Sequence, residues 1–226
     1  MKLMSLTRGL FAGALALTAA AASASVVYTF DATEVAAFGS APYGTVTLVE
    51  NGSNVDVTVN LRSDLDFVLT GGPHSIFSLN INDAVVDDIQ NIAFWSGPDG
   101  PAFPIAIAPG ENTPYGEFDF MVDCTDNKAC GGQGGSNLIQ DPLTFTVLNS
   151  TYGDFGVENA DGASFAADVI CVSGSCNGAT GAIAVTGPGV PNGGGGGGGT
   201  PVPLPGTAAL LGLGLLAAGF ARRGKA

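Results

Sequence analysis

The sequence predicts an all-β fold, an antiparallel β-sandwich or jelly roll of about nine strands. Short runs rich in Val, Thr, Phe and Ile alternate apolar with polar residues, as half-buried strands do. Gly, Pro and Asn separate these runs at short intervals. Between the two ends of the chain no long stretch carries the apolar period of an amphipathic helix. Short strands joined by turn residues are typical of antiparallel sandwiches.

The clearest element is a hairpin. Residues 45–50 alternate, Asn-Gly-Ser-Asn follows at 51–54, and residues 55–61 alternate again. Asn-Gly tolerates the positive φ that a tight turn needs, so we expect a turn there. The apolar residues expected to face the core are Val55, Val57, Val59 and Leu61. The other predicted strands are 65–69, 75–81, 92–95, 117–124, 143–148, 165–172 and 182–186. Residues 84–90 are predicted to form one helical turn or a loop.

The N-terminal residues 1–24 have the three parts of a secretory signal peptide. Lys2 and Arg8 give a basic start, and residues 10–22 form an apolar core that is short for a membrane span. The sequence Ala22-Ser23-Ala24 supplies the small residues that signal peptidase requires. We therefore expect a signal helix that is removed during export.

The chain ends in a second apolar segment, residues 207–221. As a helix it would measure about 22 Å, which is less than the ~30 Å hydrocarbon core. Pro203 and Pro205 interrupt any helical extension of the segment toward its N-terminal side. A basic cluster follows it: Arg222, Arg223 and Lys225. The pattern predicts a C-terminal apolar helix that holds the chain in the membrane transiently, with the basic end on the cytoplasmic side.

A Pro-rich motif stands directly before that segment: Val202, Pro203, Leu204, Pro205 and Gly206. Motif, apolar run and basic end together resemble a PEP-CTERM sorting region of the VPLPA type. The resemblance implies processing by an exosortase-type enzyme in Gram-negative bacteria that secrete polysaccharide. Leu204 replaces the Glu of Pro-Glu-Pro and Gly206 replaces the Ala of VPLPA, which leaves the identity of the processing enzyme open. Residues 204–208 also approximate the sortase motif LPXTG.

These segments divide the chain into four parts. Residues 1–24 are the predicted signal peptide, 25–187 the β-sandwich domain, 188–201 a Gly-rich flexible linker and 202–226 the sorting segment. A Gly-rich chain of this length has a root-mean-square reach of roughly 20 Å, enough to hold a domain clear of a surface. Within the domain, the Gly-Gly-Pro-His loop and the Phe-Ala-Ala-Asp-Val run are similar to elements of short PEP-CTERM surface proteins.

Charge excludes one class of partner. Between the terminal segments, Arg62 and Lys128 are the two strong cations against all 20 acidic residues, which leaves a net charge of −18. Such a domain repels nucleic acids and anionic lipid head groups. The same charge favours solubility and the binding of cations, and nucleic acid is not expected as a partner.

The four cysteines form two local pairs, Cys124 with Cys130 and Cys171 with Cys176. Export would place them in an oxidising compartment, which favours two small-loop disulfides. Four cysteines allow three pairings, and the sequence does not choose among them. A zinc site is the competing use, but neither pair has Cys-x-x-Cys spacing.

Catalytic arrangements have little support in the sequence. His74, the only histidine, would need Ser75 or Ser78 and an orienting carboxylate beside it to form a Ser-His-Asp arrangement. No Gly-x-Ser-x-Gly motif is present, so a hydrogen-bonding turn residue is the favoured interpretation of His74. Carboxylate pairs such as Asp64 and Asp66 could hydrolyse glycosides only across a cleft, and an alternating strand places them on a solvated face.

Two acidic clusters are candidates for binding calcium, which prefers six to eight oxygen ligands. One consists of Asp119, Asp123 and Asp126, close to Cys124, and the other of Asp83, Asp87 and Asp88. Neither matches the calcium-loop pattern of alternating Asp and Asn followed by Gly. The alternative is that they are exposed acidic loops that prevent edge strands from pairing between molecules. No other cofactor is expected.

Trp95 ends a predicted strand and begins a Pro/Gly loop. An indole ring can stack on a sugar face, so Trp95 is a candidate glycan-binding residue, with core packing as the alternative. The sequence thus predicts an exported, non-enzymatic protein of the cell surface or extracellular matrix, sorted through its C-terminal tail. The alternative function is a glycan-binding module for secreted polysaccharide.

Overall fold

The architecture follows from the alternating strands. The computed structural model describes residues 25–82, 88–94, 105–124 and 138–192. Thirteen strands lie in these ranges: β1 (Ser25–Phe30), β2 (Ala32–Thr33), β3 (Gly44–Asn51), β4 (Asn54–Leu61), β5 (Leu65–Phe67), β6 (Phe77–Leu79), β7 (Ile89–Phe94), β8 (Ile105–Glu111), β9 (Glu117–Cys124), β10 (Leu143–Val147), β11 (Phe165–Cys171), β12 (Thr180–Val185) and β13 (Val190–Asn192).

The strands form two antiparallel sheets. The first has six strands in the order β13-β1-β3-β4-β10-β7. The second has seven strands in the order β2-β12-β11-β6-β9-β8, and β5 also pairs with β11. The predicted β-sandwich is therefore confirmed, and all of its strand pairs in the described residues are antiparallel.

The predicted hairpin is formed by β3 and β4. Asn51 pairs with Asn54, so Gly52 and Ser53 make the turn. Gly52 has a φ of +69°, the left-handed conformation that glycine adopts without steric penalty. The four apolar residues predicted to face the core from β4 are all buried. Alternation in the sequence thus fixed the orientation of this strand correctly.

Aromatic rings fill the space between the two sheets. Tyr28 of β1 lies 5.0 Å from Phe165 of β11, measured between ring centroids, so this contact joins the two sheets. Phe77 of β6 stacks on Phe165 at 6.1 Å and contacts Phe145 of β10 at 6.0 Å. Because these rings come from both sheets, their packing holds the two sheets against each other.

The second sheet is also covered on part of its outer face. Phe118, Ala163, Ala166 and Ala184 form a small buried cluster outside the main core, and Tyr115 packs against it. As a result β11 is buried on both faces along most of its length. Any polar side chain on that strand must find its partners within the protein.

The strand count differs from the sequence prediction. Four strands were not predicted: β1, β2, β8 and β13. Strand β2 has only two residues, and β8 contains Pro109 and Gly110, which depart from the usual strand composition. A register shift between Ala108 and Gly110 accommodates them. Residues 89–90, predicted as part of a helical turn or loop, belong to β7.

The domain also continues beyond its predicted end. Strand β13 falls inside the predicted linker 188–201 and pairs with β1, with Asn192 opposite Ser25. The first sheet therefore includes residues up to Asn192, inside the segment predicted as linker. The predicted signal helix 1–24 and C-terminal helix 202–226 lie outside the described residues.

Candidate functional site

An interrupted strand creates the main polar site of the described domain. Strands β5 and β6 both pair with β11, and Phe67 lies opposite Val169 while Phe77 lies opposite Ala167. They form two halves of one strand that run end to end along β11, and residues 68–76 leave the sheet between them. Asp168 stands at the interruption, between the two paired halves.

The backbone of Asp168 holds both ends of this loop. Its carbonyl accepts a hydrogen bond from the N–H of Val68 at 3.0 Å. Its N–H donates to the carbonyls of Ser75 and Ile76, both at 3.3 Å. Gly71 and Gly72 have φ values of +85° and +73°, which allow the chain to reverse between these attachments. We refer to residues 68–76 as the strand-break loop.

The carboxylate of Asp168 is fully buried beneath this loop. One oxygen, Oδ2, accepts hydrogen bonds from the backbone N–H of Thr70 at 2.8 Å and from the Thr70 hydroxyl at 2.6 Å. The other oxygen, Oδ1, has no hydrogen-bond partner. A buried carboxylate oxygen without a partner is unfavourable, because water no longer solvates it.

Two more buried atoms of the same region lack a partner, Nδ1 of His74 and Oδ1 of Asn112. Asn112 begins the turn between β8 and β9, and its Nδ2 donates to the carbonyl of Ser75 at 3.1 Å and to Ser78 Oγ at 3.0 Å. The N–H of Thr113 donates to the carbonyl of Pro73 at 2.9 Å. The β8–β9 turn therefore also contacts the strand-break loop, and Asn112 shares the carbonyl of Ser75 with the N–H of Asp168.

Burial raises the pKa of Asp168 above its ordinary value of 3.8, and this is the largest effect on the group. The two hydrogen bonds from Thr70 and the nearby His74 lower the pKa, whereas the nearby carboxylate of Asp123 raises it. The site thus combines a buried acid, an imidazole, an amide and a second carboxylate within electrostatic reach. Such a set of lone-pair donors suits a cation or a hydrogen-bond donor.

The structure brings His74 close to a carboxylate but forms no Ser-His-Asp arrangement around it. The hydroxyl of Ser75 contacts the sulfur of Met121 at 2.7 Å, and Ser78 Oγ accepts from Asn112. Ser75 and Ser78 are both buried. Neither of the two serines considered as a nucleophile is hydrogen-bonded to His74.

Asp64 and Asp66, considered as a carboxylate pair, have different surroundings. Asp64 precedes β5 and forms a two-point ion pair with Arg62, Nε to Oδ1 at 2.6 Å and Nη2 to Oδ2 at 3.0 Å. Asp66 is half-buried, and burial together with the nearby Asp141 raises its pKa. Arg62 also donates to the carbonyls of Phe38 and Ser40, so Asp64 is part of a structural cluster.

One of the predicted disulfides is confirmed. Cys171, at the end of β11, is bonded to Cys176 across a sequence separation of 5. Their sulfur atoms lie close to the carboxylate of Asp64. In the described ranges, Asp64, Cys171 and Cys176 are the one group of three side chains with potential metal ligands close together. Because the two sulfurs are bonded to each other, they offer no thiolate to a metal. Cys124 ends β9, and its predicted partner Cys130 lies outside the described residues.

The calcium candidates are only partly described. Asp119 and Asp123 lie four residues apart on β9, about 13 Å along the strand, so the strand does not direct them to one ion. Asp126 lies outside the described residues, as do Asp83 and Asp87 of the other cluster. Calcium binding at these residues stays a prediction.

The remaining predicted site residues also lie outside the described ranges. They are Trp95, Val202, Pro203, Leu204, Pro205, Gly206, Arg222, Arg223 and Lys225. Sequence reasoning identified His74 but missed Asp168 and Asn112. The available signal was a single acid within the otherwise apolar Phe-Ala-Ala-Asp-Val-Ile-Cys strand. For Asn112, which lies in a turn, the sequence carried no comparable signal.

In the described parts of the chain, no helix is long and apolar enough to cross a membrane. Comparison of the chain with protein-family models, with curated proteins and with solved structures found no match.

Proposed function

We propose that this chain is an exported β-sandwich protein, displayed at the cell surface or released into the extracellular matrix through its C-terminal tail. The sandwich would act as a structural or adhesive body and the tail as a sorting signal. The observation that carries the proposal is the Cys171–Cys176 disulfide, since disulfides persist in oxidising compartments and are rare in the cytosol.

The position of the disulfide supports this interpretation. Cys171 is fully buried and Cys176 nearly so, and both belong to the main core. The bond links the end of β11 to the turn that leads into β12. It therefore stabilises the sandwich itself, as disulfides of exported domains do.

The proposed cleavage would leave the first strand intact. Strand β1 pairs with β3 at every position from Ser25 to Phe30. Cleavage after Ala24 would leave every residue of this strand in the mature protein.

The net charge of −18 between the terminal segments supports a role outside the cell. It keeps a protein soluble at high local concentration and repels anionic lipids, so only the tail would hold the chain at a membrane. The proposed partners are signal peptidase, an exosortase-type enzyme and the polysaccharide of the matrix.

The test is the intact mass of the protein from a Gram-negative host with an exosortase system, taken from the medium, surface, membrane and cytosol. We expect a surface or medium form that begins at Ser25, lacks the basic C-terminal end and contains the Cys171–Cys176 bond. The double variant Leu204→Ala/Pro205→Ala should accumulate uncut in the membrane fraction. The matched control Thr200→Ala/Pro201→Ala changes two residues just before the motif and should be processed normally. A cytosolic protein with both ends intact and reduced thiols would refute the proposal.

A further inference from the structure

Three buried polar atoms without partners converge on the strand-break loop: His74 Nδ1, Asn112 Oδ1 and Asp168 Oδ1. They are the only such side-chain atoms in the described residues. Buried polar groups in native proteins are almost always hydrogen-bonded or ligated, so three exceptions around one loop call for a common explanation. We propose that His74, Asn112 and Asp168 bind one divalent first-row transition-metal ion, with zinc as the reference ion.

The three residues are held together through Ser75. His74 precedes Ser75 in the chain, and the carbonyl of Ser75 accepts from Asn112 Nδ2 at 3.1 Å and from the Asp168 N–H at 3.3 Å. The carbonyl of Ser75 thus accepts hydrogen bonds from both the side chain of Asn112 and the backbone of Asp168. The β8–β9 turn and β11 therefore each bring one of the proposed ligand residues to the strand-break loop, which carries the third, His74.

The chemistry of the three atoms favours a cation. Both hydrogen bonds of the Asn112 amide group are donated by its Nδ2. Its Oδ1 can only accept a hydrogen bond or bind a cation. Asp168 supplies a carboxylate oxygen, and a second carboxylate, Asp123, lies within electrostatic reach. His74 Nδ1 offers a lone pair when the ring proton is on Nε2. The two carboxylates would repel an anion.

The presence of an imidazole distinguishes among cations. Calcium and magnesium prefer all-oxygen sites, whereas zinc, nickel and cobalt accept mixed nitrogen and oxygen ligands. Three protein ligands leave at least one coordination position for water. The ion would also have a route from solvent, since His74 is half-buried and the neighbouring Gly72 and Pro73 are exposed.

The nearest competing explanation is a proton. If Asp168 were protonated on Oδ1, it could donate a hydrogen bond to one of the other two atoms without any metal. Proton and metal have opposite consequences for Asp168→Asn, because an amide can replace a protonated carboxyl but is a much weaker metal ligand. The experiment below separates them.

The site can be observed directly because His74 is the only histidine in the chain. Untagged full-length protein is stripped with chelator and titrated with ZnCl₂ and, separately, with CaCl₂. The imidazole signals of His74 are followed by NMR, and stoichiometry and affinity are measured by calorimetry. We expect one equivalent of zinc with micromolar affinity, a saturable shift of the His74 ring signals, a rise in Tm with zinc, and no ring shift with calcium.

The His74→Ala variant changes a half-exposed loop residue, so the fold should be kept while zinc affinity falls at least tenfold. The Asp168→Asn variant should lose zinc binding as well. The matched control Glu117→Gln removes an exposed carboxylate from β9 and should bind zinc like the parent protein.

Zinc binding of unchanged affinity in His74→Ala would overturn the proposal, and so would His74 ring signals that do not move at millimolar zinc. If Asp168→Asn is as stable as the chelator-treated parent and zinc leaves the Tm of the parent unchanged, the proton explanation replaces the metal. Because His74→Ala tests the site without changing a buried residue, the proposal stays testable even if Asp168→Asn does not fold.

Discussion

Asp168 and Thr70, 98 residues apart in sequence, are joined by two hydrogen bonds to a single carboxylate oxygen. One comes from the backbone N–H of Thr70 and the other from its hydroxyl. The pair fixes the start of the strand-break loop to β11 and partly compensates for the burial of a charged group. Its removal should therefore affect stability more than an average surface hydrogen bond.

The Thr70→Val substitution tests this pair, because valine keeps the shape of threonine and loses the hydroxyl. We expect the free energy of unfolding to fall by about 1–3 kcal/mol, since a buried acceptor loses one of its donors. Urea denaturation measures the change. Thr70→Ser keeps the hydroxyl and is the control. A loss in Thr70→Ser as large as that in Thr70→Val would show that the hydroxyl contributes no more than the methyl group of Thr70.

The Cys171–Cys176 bond should contribute about 2 kcal/mol to stability, as expected for a loop of this size in the chain-entropy account. For a domain of this length, that corresponds to a fall in Tm of roughly 4–8 °C when the bond is reduced. Calorimetry with and without dithiothreitol measures it. The double variant Cys171→Ala/Cys176→Ala lacks this bond. Any change in its Tm on adding dithiothreitol would therefore come from the other two cysteines.

The contribution of Arg62 to stability should depend on the planar shape of its guanidinium group as much as on its charge. The group contacts Asp64 at two points, donates to the carbonyls of Phe38 and Ser40, and lies 5.3 Å from the ring centroid of Tyr43. A lysine cannot reproduce this geometry. Arg62→Lys and Arg62→Ala should therefore lose similar stability, about 1 kcal/mol, in urea denaturation. A fully stable Arg62→Lys variant would show that charge alone is sufficient.

The same ion pair should make stability depend on pH in acid. The hydrogen bond from Arg62 is the largest effect on Asp64 and lowers its pKa below the ordinary value of 3.8. A carboxyl whose pKa is lower in the folded state stabilises the fold above the unfolded pKa, and this contribution disappears as pH falls through the folded pKa. The stability difference between the parent protein and Asp64→Asn should thus be constant above about pH 5 and shrink below pH 3.8. A difference that stays constant down to pH 2 would contradict this assignment.

Phe165 should be among the most sensitive core positions. It is fully buried and contacts Tyr28 and Phe77, which belong to different sheets. Phe165→Ala should destabilise the domain by about 3–5 kcal/mol through the cavity it leaves. Leu138→Ala, at a side chain 44% exposed, should change stability by less than about 0.5 kcal/mol in the same urea titration.

Much of the sandwich could be predicted from the sequence because its regular strands alternate cleanly. The bounds of β9 were predicted without error, and β4 and β10 to within a residue. Strands β2 and β13 carry too few residues to show a period, and β13 stands beside the Gly-rich run. Their positions depend on pairing with distant strands, which a local pattern does not contain.

The candidate site could not be predicted for the same reason. The loop containing His74 was recognisable from its Gly-Gly-Pro-His sequence, but Asp168 and Asn112 reach it from strands and turns far along the chain. An acid inside an apolar strand marks a buried polar group without identifying its partners. Only the interruption between β5 and β6 reveals why β11 carries an aspartate at that position.

The second sheet joins the two ends of the domain, since Ala32 of β2 pairs with Ala184 of β12. Because synthesis begins at the N-terminus, β2 is made long before β12, the strand with which it pairs. Contacts between such distant segments form slowly, because a long loop must close first. The pairing of β2 with β12 can therefore form only when nearly the whole domain has been synthesised.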